Sequence, residues 1–286
     1  MAKAATQLGI TQPAVSDIIA GLEQMFGARL FDRSPQGVEP TIYGRALLKR
    51  GQAAFDELNQ GIRDIEFLAD PTTGEIRLGC PATIIATILL PIIQDFSRRY
   101  PRVNLQVEDS ISFAREIGEL RDRKYDFVLG RLVGQPERLG DDLEIDILFD
   151  DPLVVVAGAQ TRWAQRRKID LAELVNEPWT LPPADTLNTR CVTEAFRKRR
   201  CDMPKISLVS FSVHLRTQLV AGGQFITALP KSIADQYSLK VLPIELTTQP
   251  YSVAIFTLKN RSLSPVVERF IKYVRDFARS LPTSRI

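Results

Sequence analysis

The chain of 286 residues is 44% hydrophobic and 25% charged, which is ordinary for a globular protein with more than one domain. Its formal net charge of +3 is too small to indicate a nucleic-acid partner by itself, and neither a membrane span nor a signal peptide is recognisable. Three cysteines without metal-ligand spacing and a single histidine argue against a disulfide scaffold, a metal site and histidine-based catalysis. We therefore expect a cytoplasmic protein without a cofactor.

Residues 2–27 predict two helices joined by a tight turn. Gly9 ends the first helix, Thr11 caps the second, and Pro13 lies in its first turn, where a missing N–H costs nothing. Apolar side chains at helical spacing predict a buried face on the second helix: Val15, Ile18, Ile19, Leu22 and Phe26. Small polar side chains at its start are typical of a helix-turn-helix, although the pattern alone suits an ordinary helical hairpin equally well.

The run AxxLGITQPAVSxxIxxLE, followed by LFDR at 30–33, resembles the winged helix-turn-helix of LysR-type transcriptional regulators. The wing sequence RSPQGVEPTIYGRALL is similar to the galactose-binding-protein-regulator branch of that family. The resemblance implies that the start of the second helix meets base edges of promoter DNA, while the wing lies near the backbone or minor groove. The DNA-binding residues expected on this basis are Thr11, Gln12, Pro13, Ser16, Arg33 and Gln36.

Two features weaken the expectation of DNA binding. Residues 1–69 carry seven Lys/Arg against eight Asp/Glu, whereas phosphate neutralisation supplies most of the affinity of such domains. The resembled family also has a helix ahead of Ala2, so the resemblance implies that the winged helix-turn-helix at 1–40 lacks its first helix. The alternative function is therefore a truncated small-molecule-binding and dimerising protein without DNA-binding competence.

Residues 41–69 predict one long helix with a single apolar stripe, which is typical of a surface that binds a partner. The stripe consists of Leu47, Ala54, Leu58, Ile62, Ile65 and Ala69. The resemblance makes this the linker helix through which two chains dimerise, in a homodimer or homotetramer. Packing on its own chain alone remains the alternative. The run DPTTG at 70–74 predicts a break before the next domain.

From Glu75 onward, predicted strands alternate with helices at crossover length, which indicates an α/β domain with parallel sheets and helices on their faces. The segments LLPIIQDFSRRYPRVNLQV, ELRDRKYDFVLGRL and LVAGGQFITALP resemble the effector-binding domain of the same regulators, which is similar to type II periplasmic binding proteins. That resemblance implies an effector domain at 75–286 with two lobes. The first lobe is 75–149 plus 254–286, and the second is 150–253.

The resemblance also implies an effector site in the cleft between the lobes, beyond the strand ends and at helix starts, where free N–H groups favour anions. Its expected residues are Thr83, Ser110, Ser112, Arg131, Thr186, Asn188, Thr189 and Ser212. For each residue, a helix cap or a surface position is an equally good interpretation. By resemblance, the segment 80–91 is one residue longer than usual in the family, so Ala82 is an alternative to Thr83 for the family's hydroxyl position. By resemblance, the effector is a sugar or a small organic acid.

Taken together, these patterns predict a ligand-responsive transcription regulator. An enzyme is not predicted, because the sequence has no glycine-rich phosphate loop, paired-carboxylate motif or nucleophile elbow. Cys191 and Cys201 lie at opposite ends of a predicted helix, ~15 Å apart by helical rise, which is too far for a disulfide. For His214, packing or solvent exposure is favoured over ligand contact.

Overall fold

The computed structural model describes residues 1–34, 37–109, 112–134, 139–246, 249 and 251–281. The chain divides into two compact units, Met1–Asn59 and Gln60–Ile286. The boundary falls inside one continuous helix, so each unit is described by itself. Among the described residues, every helix is too short or too polar to cross a membrane.

The first unit opens with helices α1 (Ala2–Leu8) and α2 (Gln12–Phe26). Gly9 has φ 66°, a left-handed conformation that glycine adopts without a Cβ clash, and it ends α1. The Thr11 side chain accepts a hydrogen bond from Ala14 N at 3.4 Å and so caps α2. This local chemistry forms the predicted helix-turn-helix.

A two-stranded wing follows, formed by β1 (Phe31–Ser34) and β2 (Gly37–Pro40) in antiparallel register. The Glu23 carboxylate on α2 accepts hydrogen bonds from Leu30 N at 2.7 Å and Phe31 N at 3.2 Å. These backbone donors lower the pKa of Glu23 because they stabilise its charged form. Glu23 therefore ties α2 to the base of the wing.

Helix α3 (Ile42–Ala69) then runs across the boundary between the units. Its first turn passes close to the chain ahead of the wing, where a Cβ built on Gly44 would lie 2.0 Å from Leu30 O. Only glycine fits at this contact. The predicted long helix is thus present, beginning one residue after Thr41.

The core of the first unit is smaller than the apolar pattern predicts. Val15 is buried, but Ile18 is 57% and Phe26 53% exposed, while Ile19 and Leu22 are half-buried. The predicted buried face is therefore wrong for Ile18 and Phe26, because helical spacing defines a face without showing that another element covers it.

The first lobe of the second unit is built on a sheet in the order β4-β3-β5-β12-β6. Helices pack on it, and their aromatic side chains fill the core, where Phe96 and Phe270 meet edge to face at 4.8 Å. The strands are β3 (Thr73–Cys80), β4 (Arg102–Asp109), β5 (Phe127–Val133), β6 (Leu143–Asp150) and β12 (Tyr251–Leu258). The helices are α4 (Ala82–Ile84), a π-helical segment (Ile85–Leu89), α5 (Leu90–Arg99), α6 (Phe113–Arg121) and α10 (Pro265–Ser280).

The second lobe has one sheet in the order β10-β7-β11 and a parallel pair, β8-β9. Trp179 and Phe196 pack edge to face in its core at 5.8 Å. Its strands are β7 (Leu153–Ala157), β8 (Trp179–Leu181), β9 (Ile206–Val209), β10 (Thr227–Pro230) and β11 (Lys240–Glu245). Its helices are α7 (Leu187–Lys198), α8 (Val213–Ala221), α9 (Lys231–Gln236) and a 3-10 turn (Leu171–Leu174).

The α/β prediction is confirmed, but the expectation of parallel sheets is only partly right. Strand β3 pairs in parallel with β4 and β5, whereas β12 is antiparallel to β5 and β6. Strands β10 and β11 are likewise antiparallel to β7. The first-lobe sheet takes in all of β12 from Tyr251, three residues before the predicted return to that lobe.

Candidate effector cleft and DNA-reading helix

The start of α2 presents the side chains expected to read DNA. Gln12 and Pro13 occupy the first two positions of the helix and are exposed, and Ser16 is half-buried one turn later. The hydroxyl oxygen of Thr11 accepts a hydrogen bond from the helix backbone, so one of its lone pairs is already used for capping α2. A helix start that exposes an amide side chain suits a base edge in the major groove.

The wing contributes Arg33, which is exposed on β1 opposite Val38. Its guanidinium is therefore open to a phosphate or a minor-groove edge. The other wing residue of the prediction, Gln36, lies outside the described residues.

Within the second unit, a cavity of about 350 Å3 lies between the two lobes. This volume is in the range of small-molecule pockets. The first lobe contributes Pro81, Ala82, Thr83, Asp109, Ser112, Phe113, Ala114, Glu116 and Arg131. The other lining residues are Pro182, Asp185, Thr186, Leu187, Asn188, Arg190, Phe211, Val213, Arg216 and Tyr251.

The first turns of α4, α6, α7 and α8 all contribute to the lining of this cavity. The hydroxyls at the starts of the last three helices are N-caps. Ser112 accepts from Arg115 N at 3.3 Å, Thr186 from Thr189 N at 3.4 Å, and Ser212 from Leu215 N at 3.1 Å. Because a helix N-terminus carries a partial positive charge, the converging helix starts favour a negatively charged ligand.

Arg131, on β5, is a buried cation at the wall of the cavity. Its Nη1 donates to Asp151 Oδ2 at 2.9 Å, and its Nε donates to Thr83 Oγ1 at 3.4 Å. The guanidinium lies over the Tyr251 ring, 5.5 Å from its centroid. Asp151 also accepts from Ser232 N at 2.9 Å and Ser232 Oγ at 2.6 Å, so one carboxylate joins β5 of the first lobe to α9 of the second.

A larger concavity of about 1180 Å3 lies on the first lobe, lined by parts of α5, α10, β6 and β12. Its lining includes the surface ion pair Arg275–Asp146 at 2.6 Å. Its lining includes the first turns of α5 and α10, whereas four helix starts meet at the cavity between the lobes, which is therefore the better candidate for an effector site.

Residues 69–279 match the LysR substrate binding domain, and residues 1–45 match the bacterial regulatory helix-turn-helix protein of the lysR family. This chain belongs to the LysR family. It is a LysR-type DNA-binding transcription regulator with an effector-binding domain.

Comparison with individual proteins agrees with this assignment. The regulator is 30% identical over 274 residues to the uncharacterized HTH-type transcriptional regulator YybE of Bacillus subtilis, covering 95% of this chain and 91% of YybE. A full-length variant of OxyR from Pseudomonas aeruginosa has the same fold, with a TM-score of 0.67, 23% identity and coverage of 99% and 90%. The effector binding domain of QuiR, in complex with shikimate, aligns with a TM-score of 0.58 and 21% identity, covering 72% of this regulator and 98% of that domain.

Five of the residues predicted for the effector site line the regulator's cavity: Thr83, Ser112, Arg131, Thr186 and Asn188. Thr189 and Ser212 are not in its lining. Thr189 is buried and donates its hydroxyl hydrogen to Pro182 O at 2.7 Å, and the Ser212 side chain turns back to cap α8. Ser110 lies outside the described residues.

The segment 80–91, in which the resemblance implies one extra residue, contains a departure from regular α-helix. A π-helical segment, Ile85–Leu89, interrupts the helix that begins at Ala82. A π turn takes one more residue than an α turn, so it absorbs an insertion without displacing the helix beyond it. Thr83, which precedes the π segment, remains at the cavity.

Sequence reasoning missed Arg216, Tyr251 and Asp109. Tyr251 donates to Asn188 Oδ1, and burial is the main reason that its pKa is raised. Burial also raises the pKa of Asp109, although the Ala82 N–H that donates to it at 3.0 Å acts in the opposite direction. Only Arg216 carried a usable signal, because it lies one helical turn after the predicted Ser212.

His214 and the three cysteines, which had no predicted ligand role, do not belong to the cavity lining. His214 is exposed on α8, and the three cysteines are free, with Cys80 and Cys191 buried. Burial raises the pKa of the Cys191 thiol, which makes it a poorer nucleophile.

Proposed function

We propose that this regulator binds a small-molecule effector in the cavity between its lobes, and that binding changes how α2 and the wing engage promoter DNA. The observation that carries the proposal is the meeting of four helix starts and buried guanidinium groups at one cavity. A ligand that prefers one lobe arrangement shifts the population of states, which is sufficient to couple the two sites.

The chemistry of the cavity supports a small, polar ligand with an apolar part. Phe113, Phe211 and Val213 offer apolar contacts, while the helix starts offer positive potential. The related QuiR domain, whose structure contains shikimate, supports placing the effector of this regulator in the same domain.

For the assembly, we propose a homodimer formed through α3, which can pair further into a tetramer. The side chains of the predicted stripe are exposed along this helix, including Leu58 at 66%, Ile62 at 54% and Ile65 at 69%. Burying each against a second copy is worth roughly 1.5–3 kcal/mol at most, so a few such contacts favour association. We expect this assembly to act in the cytoplasm, without a cofactor and without catalysing a reaction.

For DNA contact, we propose that Gln12, Pro13 and Ser16 contact the major groove and that Thr11 lies at its edge. We propose that Arg33 and Gln36 make the contacts of the wing with the DNA backbone or the minor groove. The exposed positions of Gln12, Pro13 and Arg33 support this assignment.

A second candidate is a small-molecule-binding and dimerising protein that does not bind DNA. The exposure of Ile18 and Phe26 favours it, because a winged helix domain with so small a core holds its reading helix less firmly. The two candidates differ in one property, affinity for a promoter duplex.

The test is fluorescence anisotropy with a labelled duplex from the region upstream of the protein's own gene, and with a shuffled duplex as control. The proposal expects saturable binding to the first duplex and an affinity that changes when a cavity ligand is added. Specific binding that no ligand alters would contradict the effector part. Equal weak affinity for both duplexes would favour the second candidate.

A further inference from the structure

The described residues include three arginines that are less than a tenth exposed: Arg131, Arg216 and Arg261. Arg131 pairs with Asp151 at 2.9 Å, and Arg261 pairs with Asp126 at 3.2 Å. Arg216 has no carboxylate partner within the part of the chain that the structure describes. A buried charge without a counter-charge is costly, so its presence calls for a partner that the described residues do not supply.

The hydrogen bonds of Arg216 are also incomplete. Its Nη1 donates to Thr227 Oγ1 at 3.5 Å, the outer limit of a hydrogen bond, and its buried Nε has no acceptor in the described residues. Burial is the main reason that the pKa of this guanidinium is lowered to about 10. At neutral pH it nevertheless remains fully charged, so its unused donor carries a positive charge.

This side chain is 2% exposed, and it belongs to the lining of the cavity between the lobes. It lies in the first turn of α8, whose N-terminus adds positive potential. A second buried donor at the same cavity, Arg131 Nη2, also lacks an acceptor among the described residues. Two arginines in the lining of one small cavity therefore each keep a buried guanidinium donor without an acceptor among the described residues.

We propose that Arg216 binds the carboxylate of the effector, and that the effector is a small monocarboxylic acid rather than a neutral sugar. This inference rests on the proposed function of the cavity. A planar guanidinium matches a planar carboxylate, and the ligand would supply the counter-charge that the described residues do not give Arg216. Three carboxyl groups, Asp109, Glu116 and Asp185, also line the cavity, and they disfavour a ligand with two negative charges.

The first experiment separates ligand binding from a structural role. The chain is made with Arg216→Met, which keeps the length of the side chain and removes its charge, and its thermal midpoint is measured without ligand. If Arg216 is retained for a ligand, the variant should melt at the same or a higher temperature, because the substitution removes a buried charge that has no carboxylate partner among the described residues. A midpoint that falls by 5 °C or more would show that Arg216 holds the fold, and it would overturn the inference.

The second experiment measures ligand affinity by thermal shift and calorimetry. The probes are acetate, benzoate and shikimate, the methyl esters of benzoate and shikimate, galactose, and inorganic phosphate. We expect at least one acid to bind the wild-type chain, its ester to bind at least tenfold more weakly, and Arg216→Met to lose at least tenfold in affinity for the acid. Arg216→Lys should recover part of that loss, since it restores the charge without the planar fork.

Arg197→Met is the control, because Arg197 is an exposed arginine on α7 that does not belong to the cavity lining. It should change affinity for the acid by less than threefold. Equal losses in Arg197→Met and Arg216→Met, tighter binding of phosphate than of any acid, or no binding of any acid would each overturn the inference.

The proposed function can survive that failure. If galactose binds wild type and Arg216→Met equally and alters DNA affinity, the cavity is an effector site but Arg216 is not its anion anchor. If no probe binds and none alters DNA affinity, the inference fails and the effector part of the proposed function loses its support.

Discussion

The buried pair of Arg131 and Asp151 should be essential for the stability of the second unit. The two side chains are 6% and 4% exposed, and the Asp151 carboxylate also accepts both donors of Ser232. Asp151→Asn keeps the shape of the side chain but leaves the guanidinium without its counter-charge. Breaking a buried pair in this way costs ~3–5 kcal/mol, most of it from the charge left behind.

The matched control is Asp146→Asn, whose partner Arg275 forms an ion pair of 2.6 Å at the surface, with side chains 38% and 46% exposed. Such pairs contribute ~0–1 kcal/mol because solvent screens both charges. The free energies of unfolding are measured by urea titration at pH 7, followed by the fluorescence of Trp163 and Trp179 in the second-lobe core. If Asp151→Asn costs no more than Asp146→Asn, the reasoning about the buried pair is wrong.

Four further predictions concern single positions. Gly44→Ala should destabilise the first unit by ~1–3 kcal/mol or more, because the added Cβ clashes with the backbone. Gly51→Ala, in open space on the same helix, should stabilise it by ~0.5–1 kcal/mol. Limited proteolysis should therefore cleave residues 1–59 fastest in Gly44→Ala and slowest in Gly51→Ala. Folding lowers the pKa of Glu23, so its carboxylate stabilises the fold at pH values above its unfolded pKa near 4.5, and this stabilisation is lost as the pH falls below 4.5. Glu23→Gln should therefore reduce the dependence of the free energy of unfolding on pH in the range below 4.5. Gln12→Ala should weaken binding to the cognate duplex by ~1–3 kcal/mol and leave binding to a shuffled duplex nearly unchanged. Equal losses on the two duplexes would show that Gln12 does not recognise the base sequence. Thr83→Val should abolish the effector response without changing effector-free DNA affinity, and an unchanged effector titration would place the site elsewhere.

The sequence predicted the order of elements well because most of the fold is encoded in local periodicity and capping. Thr11 caps α2 where the sequence predicts its start, and the stripe of α3 follows from helical spacing alone. Strand direction was not predictable in the same way. The apolar run of β12 is the same whether its neighbours are parallel or antiparallel, so only tertiary structure decides.

The residues of the candidate site could be predicted where a hydroxyl side chain follows a strand or begins a helix, since strand ends and helix starts meet at the cavity. They could not be predicted where a residue's role depends on its burial in the folded protein. Arg216 is an ordinary helical arginine in the sequence, and only packing shows that it is enclosed without a carboxylate partner among the described residues. Thr189 shows the opposite case, because its hydroxyl is spent on Pro182 O rather than offered to the cavity.

The branch of the family to which this regulator belongs, the effector and the number of subunits all stay predictions. The central proposal is that ligand binding between the lobes alters DNA binding by α2. The most direct measurement is the affinity for the upstream duplex, determined by fluorescence anisotropy in wild type and in Arg216→Met. Each protein is titrated with the acid that raises the thermal midpoint of wild type most. We predict an affinity change of at least fivefold in wild type and none in the variant at the same acid concentration. An identical response in both proteins, or none in either despite saturation of the cavity in wild type, would contradict the claim.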